Sequence, residues 1–130
     1  MASRKKFTTG TPSEKRVGYS RAVRSIDGKR LYVSGTTAQD NKGNIIGKSV
    51  FDQADYIFKK LKGVVANAGF SESDIVLVRA YLTDMKQISD FDRVFIKHFK
   101  KINPACTLVG ISNLVDPGLL IEIECVADSG

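Results

Sequence analysis

Residues 120–127, LIEIECVA, constrain the fold more than any other stretch of this 130-residue chain. Apolar residues and carboxylates alternate, so in an extended segment Ile121, Ile123 and Cys125 fall on one face and Glu122 and Glu124 on the other. Burying a carboxylate without a partner is too costly for a plain core face. The segment therefore predicts a strand, placed over 119–127, with one face in a core and the other at an interface or in a pocket. Glu122 and Glu124 become the first functional candidates.

The rest of the chain supplies partners for that strand. Residues 19–26 and 29–36 read as two strands joined at Asp27-Gly28, a hairpin-turn signal, with Leu31 and Val33 on one face. Residues 37–48, rich in Asn, Gly and Asp, read as a loop. Over 49–68 the apolar residues recur at helical spacing, and Gly69 follows as a C-terminal cap. Residues 73–84 predict a strand with Val76, Val78, Ala80 and Leu82 on a core face and Ile75, Leu77, Arg79, Tyr81 and Thr83 on the other. Ser89 with Asp92 predicts the N-cap of a second helix reaching Ile102, which Asn103-Pro104 stops. A strand over 105–111 and the Asp116-Pro117-Gly118 turn complete the chain. The order is β-β-α-β-α-β-β. Its two long crossovers allow parallel strand pairs, with both helices on one sheet face. The other face keeps Ile75, Leu77, Tyr81, Leu108, Leu120 and Val126 in water, which predicts oligomerisation.

Composition narrows the function. Hydrophobic residues at 42% and charged residues at 26% are ordinary globular proportions. The length fits one domain, 1–130, burying roughly two-thirds of its unfolded-chain surface. No apolar run reaches the ~20 residues of a membrane-spanning helix. The N-terminal residues 1–16 carry basic residues without an apolar stretch behind them, so they read as a flexible arm rather than a signal peptide. The two cysteines, Cys106 and Cys125, lack CxxC spacing, which predicts free thiols and a cytoplasmic protein. The single histidine, His98, has no partner at metal-ligand spacing, so no metal is expected. The net charge of +6 lies partly on Lys59, Lys60, Lys62, Lys97, Lys100 and Lys101. These fall on the polar sides of helices with no aromatic stacking platform, which argues against a nucleic-acid partner.

GYSRAV (18–23), LYVSGT (31–36), NAGF (67–70), SDIVLVRAYLTDM (73–85), NPA (103–105) and LIEIECVA (120–127) together resemble the motifs of the YjgF/RidA family, also called L-PSP or Rid. Each motif is weak alone, and the collinear set spans nearly the whole chain. The resemblance implies an α+β, chorismate-mutase-like fold of the bacillus type, one sheet with two helices on one face. It implies a homotrimer whose sheets form a central barrel, with small-molecule sites in three inter-subunit clefts and no cofactor. Well-understood members hydrolyse the reactive imines and enamines released by pyridoxal-phosphate enzymes, giving keto acids and ammonia. On that pattern Glu122 orients the attacking water, Tyr19 lines the cleft, and Ser34 and Gly35 belong to the altered motif Ser34-Gly35-Thr36. The family arginine that grips the substrate carboxylate follows the Pro-Ala dipeptide, and here that position is Cys106. Such a bidentate grip is a geometry only arginine supplies.

Two pairs of readings stay open at this point. Arg21 and Arg79 either bring a replacement cation to the cleft or pair with Glu122 or Glu124 as structural salt bridges. Cys106 is either a reactive thiol or a small buried apolar residue. Three functions compete: hydrolysis of an imine, enamine or similar electrophile; metabolite binding without chemistry; and, less well supported, the endoribonuclease or translation-inhibitor activity of the family's older labels.

Overall fold

The computed structural model describes residues 3–130. Its strands are β1 (Lys6–Phe7), β2 (Ala22–Arg24), β3 (Arg30–Thr37), β4 (Ile75–Leu82), β5 (Ala105–Gly110) and β6 (Ile121–Asp128). Its helices are α1 (Pro12–Val17), α2 (Val50–Asn67) and α3 (Ile88–Phe99). All six strands form one sheet in the order β1-β2-β3-β6-β4-β5. The alternating C-terminal segment thus sits in the middle, antiparallel to both β3 and β4, and only β4 and β5 run parallel. The core lies between one face of this sheet and helices α2 and α3, the α+β arrangement with two main helices that the sequence predicts.

Helix α2 begins where the Ser49 side chain accepts from the Asp52 amide, and the chain turns away at Gly69 with φ +89°. Its stripe of Ala54, Ile57, Phe58, Leu61 and Val65 is almost wholly buried. Phe58 packs edge-on against Phe99 of α3 at 4.9 Å, locking the helix pair over the sheet. Gln53, completely buried on the same helix, donates to the carbonyls of Gly47 and Gly118 (3.1 and 2.8 Å) and accepts from the Leu120 amide (2.9 Å). One polar side chain therefore ties two loops to the entry of β6. Among the described residues no helix is long and apolar enough to cross a membrane.

Four local expectations give way. Residues 1–16 were expected as a flexible arm, yet Lys6–Phe7 pair with β2 and Pro12–Val17 form a helix; Met1 and Ala2 lie outside the described residues. The physical reason is a capping box, in which Thr11 accepts from the Glu14 amide while Glu14 reaches back to the Thr11 amide, with Pro12 in the first turn. The first predicted strand, 19–26, shortens to Ala22–Arg24. Helix α3 starts at Ile88, not after Ser89, because Asp84 caps a short 3-10 turn, Met85–Gln87, that runs into it. It ends at Phe99 as Asn103 turns to φ 52°. In β4 a register shift between Ile75 and Leu77 puts Ile75 in the core (2% exposed) and Val76 outside (44%), the reverse of simple alternation.

That shift redraws the open face. Ile75 leaves it, and Leu108 and Leu120 pack against the core instead. What remains is an apolar row across the sheet, Tyr32, Val126, Leu77 and Ala105, beside a row holding Glu124, Arg79 and Thr107 and a third holding Glu122, Tyr81 and Val109. Tyr32 is 51% exposed and Val109 42%.

Candidate active site

Glu122 points from β6 into a cavity of about 540 Å3 that also touches Tyr19, Arg21, Gly35, Thr36, Lys60 and Asp116. Gly35 lets the Glu122 carboxylate come close, since a Cβ there would stand 3.0 Å from its Oε2 and press it aside. The same β3 segment has a register shift between Val33 and Thr36, which lets the backbone bend around the carboxylate. Burial pushes the Glu122 pKa above its ordinary value, opposed by the charge of Arg21 and reinforced by Glu124. Among the described residues no hydrogen-bond donor is among the influences on its carboxylate. A partly desolvated, unengaged carboxylate of this kind is suited to take a proton from water.

Arg21 is the best-held side chain in the site, 3% exposed. Its Nη1 donates to the Gly35 carbonyl (2.8 Å) and Thr36 Oγ1 (2.9 Å), and its Nη2 to Tyr19 Oη (3.2 Å) and Glu14 Oε2 (3.4 Å). Its Nε is buried without a partner among the described residues. Glu14, 4% exposed, is itself clasped by the hydroxyls of Thr8, Thr9 and Thr11 at 2.7, 2.7 and 2.6 Å. Burial alone pushes the Glu14 carboxyl up, but these hydroxyl bonds outweigh it and hold it well below the usual carboxylate range. Arg21 is therefore a structural ion pair, with Glu14 rather than with Glu122 or Glu124, and its terminal nitrogens are committed to protein partners.

The remaining predicted site residues divide. Tyr19 lies at the cavity, one residue past Gly18, the left-handed cap of α1, and its hydroxyl also bonds Ser13 Oγ at 2.7 Å. Ser34 turns away and donates to the Ser20 carbonyl at 2.7 Å. Arg79 sits on the open sheet face, 3.7 Å from Glu124, whose carboxylate also accepts from Tyr81 Oη. It does not line the cavity. Cys106 lies on edge strand β5 in register with Val78, on the helix side of the sheet, and lines no described cavity with Glu122. The residue is exposed, so it is not the small buried side chain the sequence allowed, and desolvation with the Asp92 carboxylate pushes its thiol pKa up, the opposite of an activated nucleophile.

Sequence reasoning missed Thr11, Glu14, Thr36 and Lys60. The signal for the first two was present as Thr11-Pro12-Ser13-Glu14, a capping-box pattern with proline after the cap. No comparable signal marked Lys60, which reads as one of several lysines on a polar helix face.

Comparison with known proteins places this geometry among relatives. The sequence pattern described as endoribonuclease L-PSP matches residues 11–129. A RutC family protein of Pyrococcus horikoshii is 32% identical over 123 residues, covering 93% of this chain and 94% of the relative. The mitochondrial protein MMF1 of Saccharomyces cerevisiae is 30% identical over 133 residues, covering 95% of this chain and 88% of the relative. Among solved structures, a YjgF/YER057c/UK114 family member from Mycobacterium tuberculosis superimposes with a TM-score of 0.87 at 33% identity, covering 97% of this chain and 99% of that one.

Proposed function

The chain belongs to the endoribonuclease L-PSP family, also named YjgF/RidA, and from that premise we propose that it is a hydrolase of small reactive imines or enamines, working in the inter-subunit clefts of a homotrimer. One observation carries the reading: the Glu122 carboxylate stands in a cavity of about 540 Å3, its pKa raised by burial and its oxygens free of donors among the described residues. The step balances simply. Glu122 takes a proton from water as the oxygen adds to the imine carbon. That proton passes to nitrogen, the hydroxyl proton of the resulting carbinolamine follows it as the carbon–nitrogen bond breaks, and a carbonyl compound and ammonia leave. An enamine enters the same path after tautomerising to its imine.

Neither Arg21 nor Arg79 replaces the family arginine, since Arg21 is consumed by Glu14, Tyr19, Gly35 and Thr36 and Arg79 lies outside the cavity. Arg16, exposed on α1, also lines the cavity with Lys42 and Lys60, so cations other than Arg21 and Arg79 face the site.

Support for the trimer comes from the open face, whose row of Tyr32, Leu77 and Val126 is left in water by one chain. The test of the reading is ammonia release from freshly generated aminoacrylate, which rises with the wild-type protein and returns to background with Glu122→Gln. Retention of the rate by Glu122→Gln overturns it. A binder without chemistry is the second reading, favoured by the cysteine that stands at position 106 in place of the family arginine. It is the outcome if ligands shift the melting temperature but no ammonia is released. The endoribonuclease reading is weaker still, because several of the lysines are engaged: Lys59 and Lys97 on Asp55, and Lys62 on Glu72.

A further inference from the structure

Behind the Arg21 wall lies a separate cavity of about 560 Å3, between β1 and the outer side of α2, with apolar surface from Phe7, Tyr56 and Val64. No carboxylate lines it among the described residues, while Lys60, Lys59 and Arg21 do. Its volume lies in the ordinary range for small-molecule sites. Lys59 is at the rim and already paired with Asp55 at 3.1 Å. Lys60 is different: half-buried, it makes one long hydrogen bond, 3.3 Å to the Gln39 carbonyl, and forms no salt bridge among the described residues.

Gly63 is the second observation. It lies inside α2, where glycine costs roughly 0.5–1 kcal/mol relative to alanine. No packing demand explains it, because a Cβ built there meets nothing within 4 Å. The glycine is exposed and forms part of the cavity wall, so a larger side chain there would project over the cavity.

We propose that this cavity is a second ligand site, for a small organic anion with an apolar body, such as a short-chain alkyl carboxylate. The apolar tail lies along Phe7, Tyr56 and Val64 past Gly63, and the anionic head meets Lys60. Burial, and next to it the charge of Arg21, hold the Lys60 pKa below the ordinary lysine value, so an incoming anion relieves an unfavourable position for the ammonium. Lys60 and Arg21 stand between this cavity and that of Glu122 and line both, while Glu122 does not line this one and Phe7, Tyr56, Gly63 and Val64 do not line the other.

Octanoate and octanol are the probes, titrated calorimetrically into the full chain. The site predicts saturable octanoate binding at one per chain, with octanol at least about tenfold weaker because it lacks the charge. Gly63→Leu projects a side chain into the cavity and abolishes binding, while its melting temperature stays at or above that of the wild type. Lys60→Gln weakens octanoate about tenfold and brings it near octanol. Glu122→Gln leaves octanoate binding unchanged. Absence of saturable octanoate binding overturns the proposal, as does wild-type affinity in a folded Gly63→Leu protein or in Lys60→Gln. Loss of binding in Glu122→Gln also overturns it, by placing the ligand in the other cavity.

Discussion

At the scale of single residues, Glu122 and Glu14 are two carboxylates driven in opposite directions by their surroundings. Glu122 is desolvated without donors and has its pKa raised; Glu14 is desolvated but surrounded by hydroxyls and has its pKa lowered. The signs lead to opposite pH dependences. A carboxylate with a raised folded-state pKa stabilises the fold below its unfolded value, and that contribution is lost as pH rises through the folded value. Glu122→Gln is therefore expected to melt higher than the wild type at neutral pH, with the advantage shrinking as pH falls through the raised folded value and gone by about 4.5; thermal melts across pH test this. Glu14 acts in reverse, its contribution present above 4.5 and lost as pH falls below it. Glu14→Ala leaves Arg21 charged and buried, at an expected cost of about 3 kcal/mol at neutral pH that narrows in acid. Urea titrations at neutral and acidic pH measure both parts of that statement.

At the scale of elements, the site is held by ties that cross the sheet rather than by any one strand. Gln53 on α2 fixes the Gly118 and Leu120 backbone just before β6 delivers Glu122. Gln53→Leu removes those bonds and is expected to cost about 1–3 kcal/mol, with faster hydrogen exchange at the Leu120 amide. Unchanged exchange at that amide would show that the loop is held by other contacts. The long elements were legible in the sequence because their periodicity is unbroken, as in α2 and in β6 with its alternating Ile121, Glu122, Ile123 and Glu124. Alternation misassigned Ile75 and Val76 because an inserted residue in β4 changes faces without changing composition. The short strand β1 depends on pairing with β2, a long-range partner that local pattern does not reveal, whereas α1 carried a local signal in its Thr11–Glu14 capping box. Glu122, Tyr19, Arg21 and Gly35 were recoverable as cavity residues, whereas Ser34, Arg79 and Cys106 face elsewhere.

At the scale of the whole molecule, the open sheet face is the part that a single chain leaves unfinished. Sedimentation is expected to give a mass of three chains, and Leu77→Lys, which puts an ammonium in the apolar row, is expected to give monomers without activity. A wild-type monomer that still releases ammonia would remove the inter-subunit cleft from the account. The central claim, however, is that the assembled protein uses the raised-pKa carboxylate of Glu122 as a base, and the pH dependence of kcat/KM for ammonia release tests it most directly. The account predicts an acidic limb whose midpoint lies above the ordinary carboxylate value of 4.5, absent from the residual rate of Glu122→Gln. A midpoint at or below that value, or the same limb in Glu122→Gln, would contradict it.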